Sequence, residues 1–278
     1  MRNIVDSATA KYIDQTTIHE VGIPSMVLME KASMAVAACV MSIADSRKDQ
    51  ILAICGTGNN GGDGVAAARL LQETGYNVAV LVLGQKEKCT EEMQQQLHIA
   101  EMLGMSVFWD NMTQEELVTE TRLEEYTIGI DAMFGIGLTR AVQGKYAAYI
   151  QWMNRAGIPI ISVDVPSGVD GSSGAILGEA VRADRTVTFG CNKMGLLLYP
   201  GAEYAGQVIV ADIGIPQQII RQAKCNTYTF DGIEDVRMRF PARKMRSHKG
   251  SYGKVLVIAG GPEMSGACYF SAKAAYRM

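Results

Sequence analysis

The sequence predicts an α/β protein, a three-layer α/β/α sandwich built on a mostly parallel sheet. Short apolar runs without polar alternation, such as 51–55 and 158–163, read as strands buried on both faces. Helical patterns separate them, as parallel crossovers require. A chain of 278 residues, 48% hydrophobic and 20% charged, has enough apolar material for a substantial core.

The elements follow in order. The first 45 residues read as two helices: Met26, Leu28 and Met29, then Met34, Val36, Ala37 and Val40, gather around one helical face, and Pro24 suits a first turn. Strand 51–55 passes through a glycine loop into a helix over 65–73. Strand 77–83, helix 91–103, strand 106–109 and a polar helix over 114–123 come next. Strand 127–131, helix 146–155 and strand 158–163 complete the alternation, and 186–189 and 207–210 read as late strands. Residues 1–220 form the first domain and 221–246, without clear periodicity, a linker. Residues 247–278 begin a second domain with a strand at 254–259 and a helix, too short to close its own core.

Charge and cysteine content narrow the function. With 26 Lys+Arg against 29 Asp+Glu, there is no electrostatic footprint for nucleic acid. No apolar run approaches the ~20 residues of a membrane helix, and the N-terminus has no signal-peptide core. Six cysteines stand singly and only three histidines exist, so no zinc cluster forms at familiar spacings. Single apolar-embedded thiols suit a reducing cytoplasm. The two apolar N-terminal helices offer a homo-oligomer contact.

Three loops carry the chemistry. Gly56-Thr57-Gly58-Asn59-Asn60-Gly61-Gly62-Asp63-Gly64 joins a strand to a helix, and its bare backbone admits an anion at the helix N-terminus. A tight strand–helix turn is the bland alternative, and a phosphate-bearing ligand is the better reading of so many glycines. No Gly-Lys-Ser/Thr is present, which excludes a P-loop, and the second strand ends Val82-Leu83-Gly84-Gln85 without the acid that grips a dinucleotide ribose. The second loop, Asp131 to Arg140, contains two glycines and an arginine suited to phosphate, unless that arginine is merely a surface charge. The third, Val163 to Asp170, places Asp164 at another strand end, where it faces the crevice or caps the following turn. Asn60, Asp131 and Ser167 are hard oxygen donors of the kind that bind an s-block cation.

These loops, with Ala183-Asp184-Arg185-Thr186-Val187-Thr188-Phe189 and Lys193, resemble NAD(P)H-hydrate epimerase over about residues 1–220. The resemblance implies a Rossmann-like domain. Asn59, Asn60, Gly61, Gly62 and Asp63 would bind the hydrated dinucleotide, NADHX or NADPHX. Gly135, Ile136, Gly137, Leu138, Thr139, Arg140 and Ala141 would form a second substrate segment. Tyr146 would line the pocket and Asp164 contact the altered ring. Asn60, Asp131 and Ser167 would reach a potassium ion. Lys193 is similar to a family lysine near the site, or else a solvated loop charge.

Protonating the departing C6 hydroxyl and deprotonating the incoming water needs one group that switches between acid and base, and Asp164 is the candidate, since no histidine lies near the motifs. Residues from Ser247, with His248-Lys249-Gly250, Gly253 and Gly266-Ala267, resemble the opening of the ribokinase-like ADP/ATP-dependent NAD(P)H-hydrate dehydratase. ADP or ATP would then serve a full-length parent only, and this chain alone would have no dehydratase activity. An NAD(P)-dependent oxidoreductase and a non-catalytic nucleotide-binding module remain the alternatives.

Overall fold

The structure is a computed structural model that describes residues 2–110, 125–223, 227–229, 233–238, 244–248 and 250–277. They fall into two units, Met1–Asp231 and Gly232–Met278.

The first unit begins β1 (Arg2–Val5), α1 (Ser7–His19), α2 (Ser25–Met41), β2 (Gln50–Cys55), α3 (Asn59–Glu73), β3 (Asn77–Val82), α4 (Glu91–Met102) and β4 (Ser106–Trp109). It continues β5 (Ile128–Ala132), α5 (Lys145–Arg155), β6 (Ile160–Val163), β7 (Arg185–Phe189), β8 (Asn192–Lys193), α6 (Gly201–Tyr204), β9 (Gln207–Ala211), α7 (Gln217–Gln222) and β10 (Thr227–Thr229). Seven strands make one sheet in the order β4-β3-β2-β5-β6-β7-β9, with parallel ladders throughout. The winding reverses between β2 and β5. Open α/β sheets bind ligands at that reversal, beyond the carboxyl ends of the strands.

Pleating sends alternate β2 side chains to opposite layers. Ile51, Ala53 and Cys55 pack with Val36 and Val40 of α2 and Val65, Ala68 and Leu71 of α3. Leu52 and Ile54 pack with Tyr149, Ile150 and Met153 of α5. Helices thus cover both faces, as the continuous apolar strands required.

Four expectations need correction, and a fifth, the helix over 114–123, lies outside the described residues. The chain does not open directly into a helix: β1 forms a second, three-stranded sheet, antiparallel to β10 and parallel to β8. Its apolar content, Ile4-Val5, is too short to show a period. The stretch read as a linker contains β10 and α8 (Ile233–Arg237), so ordered structure continues past residue 220. Helix α3 begins at Asn59 rather than near Val65. Glycine costs about 1 kcal/mol per position in a helix, but tertiary contacts at this N-terminus demand it. In the second unit, α9 (Ser265–Arg277) forms as expected, whereas 254–260 pair with no strand among the described residues. Val255, Leu256 and Ile258 are exposed there, and a strand without a ladder partner has no stable form in water.

Candidate functional site

The loops after β2, β5 and β6 converge on a cavity of about 700 Å³. Its wall also takes Asp14 and Lys11 from α1 and Lys193 from β8.

Close approach at the switch point depends on glycine. Gly56 donates its N–H to the Ala132 carbonyl at 3.0 Å, and a Cβ on Gly56 would collide with the Met133 carbonyl oxygen. A Cβ on Gly61 would collide with the Gly56 carbonyl oxygen. Gly61 and Gly62 are buried and do not line the cavity; their lack of a side chain lets α3 pack down. Gly58 caps α3 without a side-chain hydrogen bond, which leaves first-turn amides available for an anion beside Asn59, Asn60 and Asp63 on the wall.

Asp131, at the end of β5, is wholly buried. Its Oδ2 accepts from Ser162 Oγ at 2.7 Å and from the Ser167 N–H at 2.8 Å. Its Oδ1 accepts from Ser167 Oγ at 2.5 Å and more loosely from the Met133 N–H at 3.4 Å. Burial pushes its carboxyl pKa up, and these hydrogen bonds from Ser167, Ser162 and Met133 pull it back. Ser167 Oγ also accepts from the Phe134 N–H at 2.9 Å. Asn60 Oδ1 faces Gly135, where a Cβ would stand 3.1 Å away, while Asn60 Nδ2 is buried without a partner. The expected cation ligands therefore gather around residues 133–135, with Asp131 and Ser167 lying off the cavity wall.

The set has the donor chemistry that suits an s-block cation. It is all-oxygen, it holds one carboxylate, and that carboxylate is bonded only by neutral groups. Among the described residues no group of three or more His, Cys, Asp or Glu side chains is placed to hold a metal ion.

Asp164 follows β6 in a left-handed conformation, φ 65°. Its N–H donates to the Val187 carbonyl and the next N–H, of Val165, turns back to the Val163 carbonyl, both at 2.8 Å. A non-glycine residue held there stores roughly 1–3 kcal/mol of strain. The turn delivers its carboxylate to the cavity, where Oδ1 accepts from Lys193 Nζ at 2.6 Å and Thr188 Oγ1 at 3.1 Å. Lys193 is 3% exposed and also donates to the Phe189 carbonyl at 2.9 Å. It is not a solvated loop charge, and Asp164 does not serve merely as a turn cap.

Residues 135–140 and Tyr146 line the cavity. Tyr146 donates to the Leu83 carbonyl at 3.2 Å and its ring lies 5.0 Å from that of Phe134. Arg140 is exposed at the rim, and Ala141 is exposed and off the wall. Asp14 was not singled out by sequence. The available signal was an acid beside Ala10, Ile13 and Thr17, the buried side of α1. Burial pushes its carboxyl up to about 6, with Lys193 opposing and Asp164 adding to the rise. Burial also raises Asp63 well above the usual carboxylate range.

A parallel sheet with a glycine-built helix terminus at its reversal defines an α/β domain of the nucleotide-handling class. The chain belongs to the family described as YjeF-related protein N-terminus, which matches residues 25–195. It is 43% identical over 208 residues to the NAD(P)H-hydrate epimerase of Limosilactobacillus fermentum, covering 75% of this chain and 95% of that protein. The bifunctional NAD(P)H-hydrate repair enzyme Nnr of Thermofilum pendens is 36% identical over 92% of this chain and 48% of its own length. The Moorella thermoacetica protein of the same name is 34% identical, over 99% and 52%. The chain spans about half of each bifunctional relative. The crystal structure of yeast ynu0 shares the fold, with TM-score 0.67, 24% identity, and coverage of 83% of this chain and 97% of that one.

Proposed function

We propose that the chain interconverts the R and S forms of NADHX and NADPHX, the hydrated nicotinamide nucleotides. The observation that carries this reading is the Asp164–Lys193 pair, set in the same crevice as the uncapped amides of α3. The amides take a phosphate group while the carboxylate meets the hydrated ring. The names of the full-length-matching relatives support the same activity.

In the substrate, C6 bears a hydroxyl and is bonded to the ring nitrogen. The nitrogen lone pair assists departure of the protonated hydroxyl as water, leaving a planar cationic carbon open to water on either face. The Asp164 carboxylate stabilises that cation and takes a proton from the incoming water. Lys193 and Thr188 fix Oδ1 in place. Asn60, Asp131 and Ser167 would hold a potassium ion, whose charge would offset the buried Asp131 and draw in the substrate's phosphates.

Residues 247–278 are read as the opening of a dehydratase domain, for which ADP or ATP would serve in a longer parent. A reducing cytoplasm suits the free thiols of Cys39, Cys55 and Cys89. No helix among the described residues is long and apolar enough to cross a membrane.

Incubation of a single epimer of NADHX with the chain and potassium tests the activity. The expected result is a two-epimer mixture with unchanged nicotinamide absorbance. A change of redox state points to the oxidoreductase, and binding without equilibration points to a nucleotide-binding module.

A further inference from the structure

The cavity brings three carboxylates to one buried amine. Asp14 comes from α1, Asp63 from the first turns of α3, Asp164 from the turn after β6 and Lys193 from β8, and all four line the wall. The amine is committed: Lys193 Nζ lies 2.6 Å from Asp164 Oδ1 and its other described bond goes to the Phe189 carbonyl. Asp14 and Asp63 therefore share the cavity with an ion pair that is already neutral. The remaining basic groups on the wall, Lys11 and Arg140, are exposed. Arg221 on α7, the helix packed against α1, is an exposed charge too. Two further negative charges in one cavity without a second buried cation are costly, which favours the protonated carboxyl there more than in water. The rise of the Asp14 and Asp63 carboxyls agrees with this.

The reaction needs what such a surplus supplies. An epimerase that removes hydroxyl from one side of a ring and returns it to the other has two proton transfers to perform. Epimerisation in both directions needs two groups that can each hold or release a proton, and the Asp164 carboxylate, bonded to Lys193, is one of them. Asp14 stands on a different element from Asp164 and faces the same space.

We propose that Asp14 is the second catalytic residue of this site, the acid that protonates the departing C6 hydroxyl while Asp164 receives the proton of the incoming water. The assignment rests on the epimerase reading and deepens it. In one direction the Asp14 O–H proton passes to the hydroxyl oxygen, and the C6–O bond breaks with its electron pair leaving on water. The ring nitrogen lone pair forms the C=N⁺ bond. Water then adds to C6, its electron pair making the new C–O bond as the nitrogen recovers its own, and its proton passes to Asp164. In the other direction the two carboxyls exchange roles. The net proton carried from Asp14 to Asp164 returns through solvent in the open cavity.

The test compares the wild-type chain with Asp14→Asn and Asp14→Glu in the epimer-equilibration assay across pH, with potassium present. In the wild type, kcat/KM should fall as pH rises past the pKa of Asp14. Asp14→Asn should lose about a hundredfold or more of kcat and show no such limb, while its Kd for NADH stays within about twofold. Asp14→Glu, which keeps an acid, should retain part of the activity and a shifted limb. A wild-type profile without the limb overturns the assignment even where Asp14→Asn fails to fold. So does an Asp14→Asn variant with wild-type kcat, or one with lowered activity and the limb intact. A wild-type chain that never equilibrates the epimers refutes the activity itself, which separates that failure from a failure of the Asp14 assignment.

Discussion

Lys193 Nζ and Asp164 Oδ1 meet at 2.6 Å across 29 residues of chain, with side chains only 4% and 11% exposed. Each charge is tolerated because the other is there. The pair also ties the turn after β6 to the small second sheet, since β8 carries Lys193 and pairs with β1.

Removal of the amine should expose that dependence. Lys193→Met leaves Asp164 as an unpaired buried carboxylate, a change that typically costs about 3–5 kcal/mol. Urea denaturation should show a loss of this order. The Lys193→Met, Asp164→Asn double variant should be more stable than Lys193→Met alone, because it buries no orphan charge.

Gly56→Ala should disrupt the crevice at its narrowest point. The added methyl meets a backbone carbonyl, Met133 O, rather than a side chain able to move aside. Overpacking of this kind costs about 1–3 kcal/mol, and NADH affinity measured by calorimetry should fall with it. Gly137→Ala is the matched control: a Cβ added there meets nothing within 4 Å, and stability should change little.

Asp131→Asn tests the cation set. The amide keeps the side chain's shape, though its NH2 must face a backbone N–H, and it removes the single negative charge that would balance potassium. The potassium concentration giving half-maximal epimerisation should rise at least about tenfold, equivalent to ~1.4 kcal/mol. An unchanged potassium dependence would refute these ligands.

Stability should vary with pH through Asp14. Its folded pKa of about 6 lies above the ordinary carboxylate value of 3.8. Between those values the folded chain binds more protons than the unfolded one, so Asp14 lowers stability as pH rises and its penalty levels off above about pH 6. Asp14→Asn should therefore melt higher than the parent near neutral pH, and the difference should vanish below about pH 4. Thermal melts at both ends of the range decide it.

The parallel sheet was legible because strands such as β2 and β6 are apolar on both faces and the intervening helices are long. The three loops that meet at the cavity were legible because each follows a strand and carries residues with a narrow physical use. Asp14 was hidden by its ordinary setting: nothing near it in sequence indicates that α1 lines the same cavity as the loops after β2 and β6. The start of α3 was hidden by glycine, whose poor helix propensity argues against the close packing that requires it. The burial of Lys193 arises from β8, a two-residue strand whose partner is at the opposite end of the chain.

That pairing has a consequence for synthesis. Strand β1 is made before every other described strand, yet its partners are Asn192–Lys193 and Thr227–Thr229. Translation must run through most of the chain before this edge is covered. Until then Ile4 and Val5, both buried in the finished fold, are open to whatever they meet. The switch-point crevice between β2 and β5 has all its strands much earlier. The nascent chain thus assembles the switch-point side of its cavity well before Lys193 arrives to neutralise Asp164, and a ribosome-bound intermediate should hold preformed loops with that ion pair still unmade.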